Sequence, residues 1–315
     1  MIDKEPFGRD QNATTLLDNL WDMSVNYKQL INAKFEFDDT NSPEINKALR
    51  ALNESLFVLN RINSSSRILT LELLFPEPSF SILECSEIVG LVERLTISWQ
   101  VAGENAQQLE DVFQNLAHKI HIGAISRKEV VQSLIELFPE EERIKSELEG
   151  PIADATMARV IIYRIHQYLG DVDRIIPYAT DATEVEHVAP QSATPEWLSA
   201  LGLTESPEDL AEYESLVEVI GNKVLLEQTI NNTLKQRGFA DKKAGFEAMV
   251  KKKLQKYPGL SHSIITETKH LAVNDVWGKA EILDRTDWMA DCFIKIFLSA
   301  GAPDSLKTYE DWLKN

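Results

Sequence analysis

The chain has 315 residues, of which 43% are hydrophobic, and a formal net charge of −18. That is enough apolar material to fill the cores of a folded protein with two domains. It is too much negative charge for a protein that coats a polyanion with its whole surface. No apolar run approaches the roughly 20 residues of a membrane span. The opening residues MIDKEPFGRDQ hold no apolar stretch for a signal peptide, so the expected location is the cytoplasm. The two cysteines, Cys85 and Cys292, lie far apart without CxxC spacing. They predict neither a disulfide framework nor a zinc knuckle and read as buried packing residues.

Up to residue 170 the pattern predicts helix after helix. Ser42 followed by Pro43 is a start signal, and Ile45, Leu49, Leu52, Leu56 and Leu59 keep one apolar face. Further helices are expected over 83–101, 105–118 and 152–169. Ser126 with Glu129 forms a capping box that opens the helix of Val130, Val131, Leu134 and Leu137. Pro76, Pro78, Gly103, Gly123 and Gly150 fall between these segments, where breakers belong. His118, His121 and His166 lie in or beside the helices and read as structural. The polar stretch GDVDRIIPYATDAT then marks a domain boundary, giving a helical domain at 1–170 and a second domain at 171–315.

Beyond the boundary, the β-branched run at 183–188 predicts a strand. A helix over 195–203, an acidic stretch at 205–218, a second strand at 223–227 and a helix beginning near Asn231 or Phe239 follow. A long helix over 274–298 with Asn274 as cap, and a short one over 303–313, are expected to wrap the strand pair, which alone buries too little to persist. The predicted fold is mainly α: a helical bundle with a small strand pair and helix embedded in it. Between Lys223 and Lys256 nine basic residues oppose three acidic ones, although the whole chain is acidic. This basic patch is either a phosphate contact or a solvated helix face.

Hydrolysing a phosphodiester requires an activated water and a cation against the charge developing on phosphate. His187, next to Glu186 and just ahead of Pro190, is the candidate for the first task. Neighbours on a strand point to opposite faces, so these two side chains converge only if the strand bends.

VEHVAPQ at 185–191, GNKVLL at 221–226 and Asn231 resemble the HNH (His-Me finger) nuclease signature, and the HNH domain of RNA-guided CRISPR nucleases carries a similar run. The closer resemblance is to the C-terminal domain of GmrSD-like type IV restriction enzymes. Phe239 with Lys242, then Trp277 and Arg285, stand where that domain has an F-x-x-K pair and a late Trp and Arg. The preceding helical region is similar to the linker of those enzymes.

The resemblance implies a ββα-metal motif and a metal-dependent DNA endonuclease or nickase, the effector of a restriction or anti-phage system. It makes His187 the general base, and Asn222 the residue that ties the two-strand loop and helps orient it. Glu186 and Asn231 become ligands of Mg²⁺ or Mn²⁺, with Asn232 competing for the second place. Lys223, Lys235 and Lys242 become phosphate contacts. Asn222 after Gly221 also suits plain turn chemistry, Asn231 suits a helix cap, and Lys242 suits a solvated face. The departures are Lys223-Val224 in place of Leu-Thr, the acidic stretch at 205–218, which reads as a cover over the site, and the missing motif of a ParB-like NTPase domain. Either the chain is part of a longer protein, or it is an effector paired with a separate NTPase or sensor. The rival readings are a helical protein-interaction module with an inactive finger, and a nuclease of RNA.

Overall fold

A computed structural model of the chain describes residues 11–36, 41–74, 80–169 and 183–298. Among the described residues the chain is mainly helical, with two antiparallel sheets of two strands each. It divides into two compact units, Met1–Thr96 with Asn105–Leu137, and Ile97–Glu104 with Phe138–Asn315. The boundary expected at 170 lies outside the described residues. The two helices that precede it group with the second unit.

The first unit contains α1 (Gln11–Asn32), α2 (Pro43–Ile62), α3 (Arg67–Leu73), most of α4 (Ile82–Val101), α5 (Ala106–His121) and α6 (Arg127–Ile135). The start signals act as read. Ser42 accepts a hydrogen bond from the Ile45 amide with Pro43 in the first turn, and Ser126 and Glu129 close the reciprocal capping box. These contacts satisfy amides that a helix start leaves without partners. Along α5 the residues Leu109, Phe113, Leu116 and Ile120 are buried, each contributing roughly 1.5–3 kcal/mol of transfer free energy. Cys85 is a free, buried thiol pushed up to about 11 by burial, first of all. Cys292, in the second unit, is likewise free and buried.

The second unit begins with α7 (Glu141–Glu149) and α8 (Ala155–Leu169). β1 (Thr183–His187) follows, then α9 (Pro195–Leu201), α10 (Pro207–Val217), β2 (Lys223–Glu227) and α11 (Gln228–Leu234). β1 pairs antiparallel with β2 in unbroken register from Thr183↔Glu227 to His187↔Lys223. Lys223, Val224, Leu225 and Leu226 are all buried, whereas β1 is half-buried from Glu184 onward. β2 is therefore the scaffold and β1 the strand that meets solvent. Trp197, Tyr213, Val224, Leu226, Trp277 and Ile282 share one core cluster, which gives the pair the burial it lacks alone.

The remaining elements are α12 (Phe239–Ala244), β3 (Phe246–Val250), β4 (Lys253–Tyr257), α13 (Thr266–Lys269) and α14 (Lys279–Phe293). Two expectations are corrected. The long helix starts at Lys279, not at Asn274: Gly278 is its cap residue and donates its amide to Glu281 at 2.9 Å, while Asn274 closes a short 3-10 turn. Trp277, between them, is drawn into the core. The stretch 246–257, for which no strand was predicted, forms the hairpin β3–β4. Glu, Ala, Met, Leu, Gln and Lys favour helix, and its turn is Lys251-Lys252 where Asn-Gly is the usual hairpin signal. Gly245, at φ 82°, permits the sharp entry, since a Cβ there would overlap the Tyr257 carbonyl. The helix expected over 303–313 lies outside the described residues.

Candidate active site

Alternation along β1 puts Glu184 and Glu186 on one face and His187 on the other. On the first face, Glu184 accepts hydrogen bonds from Asn231 at 2.9 Å and Gln228 at 3.2 Å, both on α11. Glu186 lies 3.7 Å from the Lys242 ammonium. Burial raises its carboxyl above the ordinary 4.5, while the Lys242 charge and the Asn231 amide pull the other way. Glu184, Glu186, Asn231 and Lys242 thus converge. Asn232, the competitor for the role of Asn231, is exposed.

Lys242 is buried, not solvated, and donates to the His187 carbonyl at 2.9 Å. Burial holds its ammonium down to about 8 against the opposing pull of Glu186. It neutralises Glu186 and pins the backbone of the candidate base.

On the other face, His187 Nε2 stands 3.3 Å from Glu218 Oε1 without the alignment of a hydrogen bond. Burial lowers the imidazole below its ordinary 6.5, with Glu218 opposing, so His187 is neutral at neutral pH. Glu218 follows directly on α10 and so ends the acidic stretch expected to cover the site. Lys223 binds it at 2.6 Å and Gln191 at 2.7 Å. Although burial opposes them, these contacts and the Lys223 charge hold the Glu218 carboxyl down at about 2. The expected phosphate contact at Lys223 is thereby corrected. Its ammonium is buried between Glu218 and the Ile152 carbonyl. Of the three lysines expected to meet phosphate, Lys235 is exposed and the other two are interior.

Behind the strand ends, the buried Asn222 uses the whole capacity of its amide. Oδ1 accepts from the Ala189 amide at 2.8 Å and from Trp277 Nε1 at 3.1 Å. Nδ2 donates to the carbonyls of Ala189 at 2.8 Å and Val217 at 2.9 Å. Asn222 thus ties the backbone just beyond His187 to the entry of β2. Its side chain is sealed from solvent. Trp277 stacks on Phe239 with centroids 5.5 Å apart, and Tyr213 donates to the Pro190 carbonyl at 2.6 Å. Arg285 donates to the carbonyls of Lys223, at 2.8 Å, and Gly221. The positions that carry the sequence resemblance therefore meet around one loop.

α14 runs so close to that loop that a Cβ on Gly221 would overlap the Ile282 carbonyl and Thr286. Gly221→Ala is expected to destabilise the protein by about 3 kcal/mol, the cost of overpacking against backbone. Chemical denaturation of both proteins checks it. A midpoint unchanged from wild type would mean that α14 does not press on the loop.

Among the described residues no three His, Cys, Asp or Glu side chains gather as a metal set. Glu184 and Glu186 form a smaller pair of hard oxygen donors, toward which Asn231 turns its amide nitrogen. That suits Mg²⁺ or Mn²⁺, which keep several positions for water and phosphate. Two members of the arrangement were missed in the sequence. Glu184 had a signal, since a residue two before Glu186 on a strand shares its face. Glu218, 31 residues after His187, had none.

No curated protein and no solved structure matches the chain. Residues 138–292 do match a family model, that of the C-terminal domain of GmrSD restriction endonucleases. The matched stretch opens at residue 138, where the main part of the second unit begins, and it contains every residue of the arrangement just described. Residues 138–292 are thus similar to the C-terminal domain of GmrSD restriction endonucleases.

Proposed function

We propose that the second unit is a nuclease centre of the HNH (His-Me finger) kind, which hydrolyses the DNA backbone with Mg²⁺ or Mn²⁺. The β1–β2–α11 unit carries this reading. Within the stretch matched to a restriction-endonuclease domain, a half-buried strand turns Glu184 and Glu186 toward Asn231 and ends on a neutral His187.

His187 accepts a proton from the attacking water as the water oxygen bonds to phosphorus and the bond to the leaving sugar oxygen breaks. Glu218, held by Lys223 and Gln191, stands beside the imidazole and stabilises the imidazolium that forms. Glu184 and Glu186 would hold a divalent cation, joined by Asn231 with its side-chain amide turned to present the oxygen, and the cation would offset charge on the phosphate and on the leaving oxygen. Lys242 keeps the Glu186 carboxylate partly neutralised and fixes the His187 carbonyl. Because Glu186 and His187 use opposite faces, the scissile phosphate must lie across the His187 end of the strand, where both can reach it.

Incubation with supercoiled plasmid is expected to yield nicked or linear DNA with Mg²⁺ or Mn²⁺ and none with a chelator. RNA run in parallel assigns the nucleic acid. No divalent-dependent cleavage of either would overturn the reading and leave a helical interaction module.

A further inference from the structure

The basic excess between Lys223 and Lys256 does not stay together in the fold. Lys223 and Lys242 turn inward. Arg237 lies over the Phe246 ring at 3.3 Å and pairs with Asp241, Lys243 binds Asn274 and Asp275, and Lys256 pairs with Glu247. At the tip of the β3–β4 hairpin, by contrast, Lys251, Lys252 and Lys253 are exposed, and no ion pair holds any of them among the described residues.

The hairpin bearing these lysines is costly in two ways. Its two-residue turn places Lys251 at φ 47° and Lys252 at φ 66°, a conformation that asparagine and glycine adopt easily and lysine only under strain. Its cross-strand partners Met249 and Leu254 are 66% and 60% exposed, and a lone two-stranded ribbon is marginal in water. Order is concentrated at the root, where Phe246 and Tyr257 stack at 4.7 Å. Strain retained at an exposed site, beside uncovered apolar surface, points to a partner. The unpaired charges make that partner a polyanion.

We propose that the β3–β4 hairpin enters the major groove of duplex DNA. Lys251, Lys252 and Lys253 bind backbone phosphates, and Met249 and Leu254 lie against the apolar parts of the groove. The major groove, roughly 12 Å wide, admits a two-stranded ribbon. The proposal rests on the reading of the second unit as a DNA nuclease, and it supplies substrate contacts that the inward-facing Lys223 and Lys242 cannot. It also fits the chain path: α12, whose Lys242 touches Glu186 and His187, leads through Gly245 straight into β3. On a chain of net charge −18, such a tip also steers the duplex to one side of an otherwise repulsive body.

The test is the binding of a fluorescent DNA duplex in a chelator, where cleavage cannot occur, across a range of salt. Lys251→Asn, Lys252→Gly and Lys253→Thr together remove three charges and install the turn sequence that hairpins favour. The triple variant should melt no lower than wild type, yet bind at least tenfold more weakly at low salt. Its log affinity against log salt should flatten by up to about 2.7, close to 0.9 for each phosphate no longer neutralised. Lys128→Ser, an exposed site on the first unit, should change nothing. A triple variant that binds like wild type with the same salt slope would overturn the hairpin proposal even if cleavage is intact. Duplex binding that disappears with the hairpin lysines, in a protein that never cleaves, would overturn only the nuclease reading.

Discussion

Replacing His187 by alanine is expected to lower metal-dependent cleavage by roughly two to four orders of magnitude, the usual worth of a positioned general base. Folding should barely change. The side chain is 17% exposed and Nε2 has no hydrogen-bond partner among the described residues, so truncation strands no donor or acceptor within hydrogen-bond geometry. Single-turnover rates with thermal melts of both proteins measure the two effects separately. Equal rates would remove His187 from the chemistry. The sign of the pH dependence follows from burial, which lowers the imidazole below its ordinary 6.5. The neutral form is the base, so wild-type activity should hold at and above pH 6.5 and be lost as acidification carries the solution through the lowered value.

The second large effect is structural. Arg285 and Glu267 form an ion pair with no exposed side-chain surface, and Arg285 also donates to the carbonyls of Gly221 and Lys223. Arg285→Ala leaves the Glu267 carboxylate buried without its countercharge, which costs about 3–5 kcal/mol. In a protein of this size that corresponds to a fall in Tm of roughly 10 °C. A double replacement, Glu267→Leu with Arg285→Met, exchanges the pair for apolar volume and should restore most of the stability. It cannot restore the donors to the loop, so cleavage should stay well below wild type. If the single variant melts like wild type, the pair is not what holds the loop. If the double variant regains full activity, the donors do not matter to the site.

Where a local rule decides the outcome, the sequence was readable. Ser42-Pro43 and the Ser126–Glu129 box set helix starts through contacts three residues apart. The β-branched run at 183–188 and its partner at 223–227 became the strand pair that frames the candidate site. What escaped depends on distant chain. Lys223 reads as a surface cation until the Ile152 carbonyl, 71 residues away, and Glu218 enclose it. The start of α14 moves to Lys279, after Trp277, which is drawn to Asn222, 55 residues away. The hairpin escaped for the opposite reason, because its local composition argues for helix. The acidic stretch hid Glu218 among the other carboxylates of α10.

The loop at 221–223 is fastened by Trp277 and Arg285 and wedged against Ile282 and Thr286. The signature string is thus not a portable cassette. Moved onto another scaffold without the segment that ends in α14, it would bring Glu186, His187, Asn222 and Asn231 and none of the clamps that hold them in register.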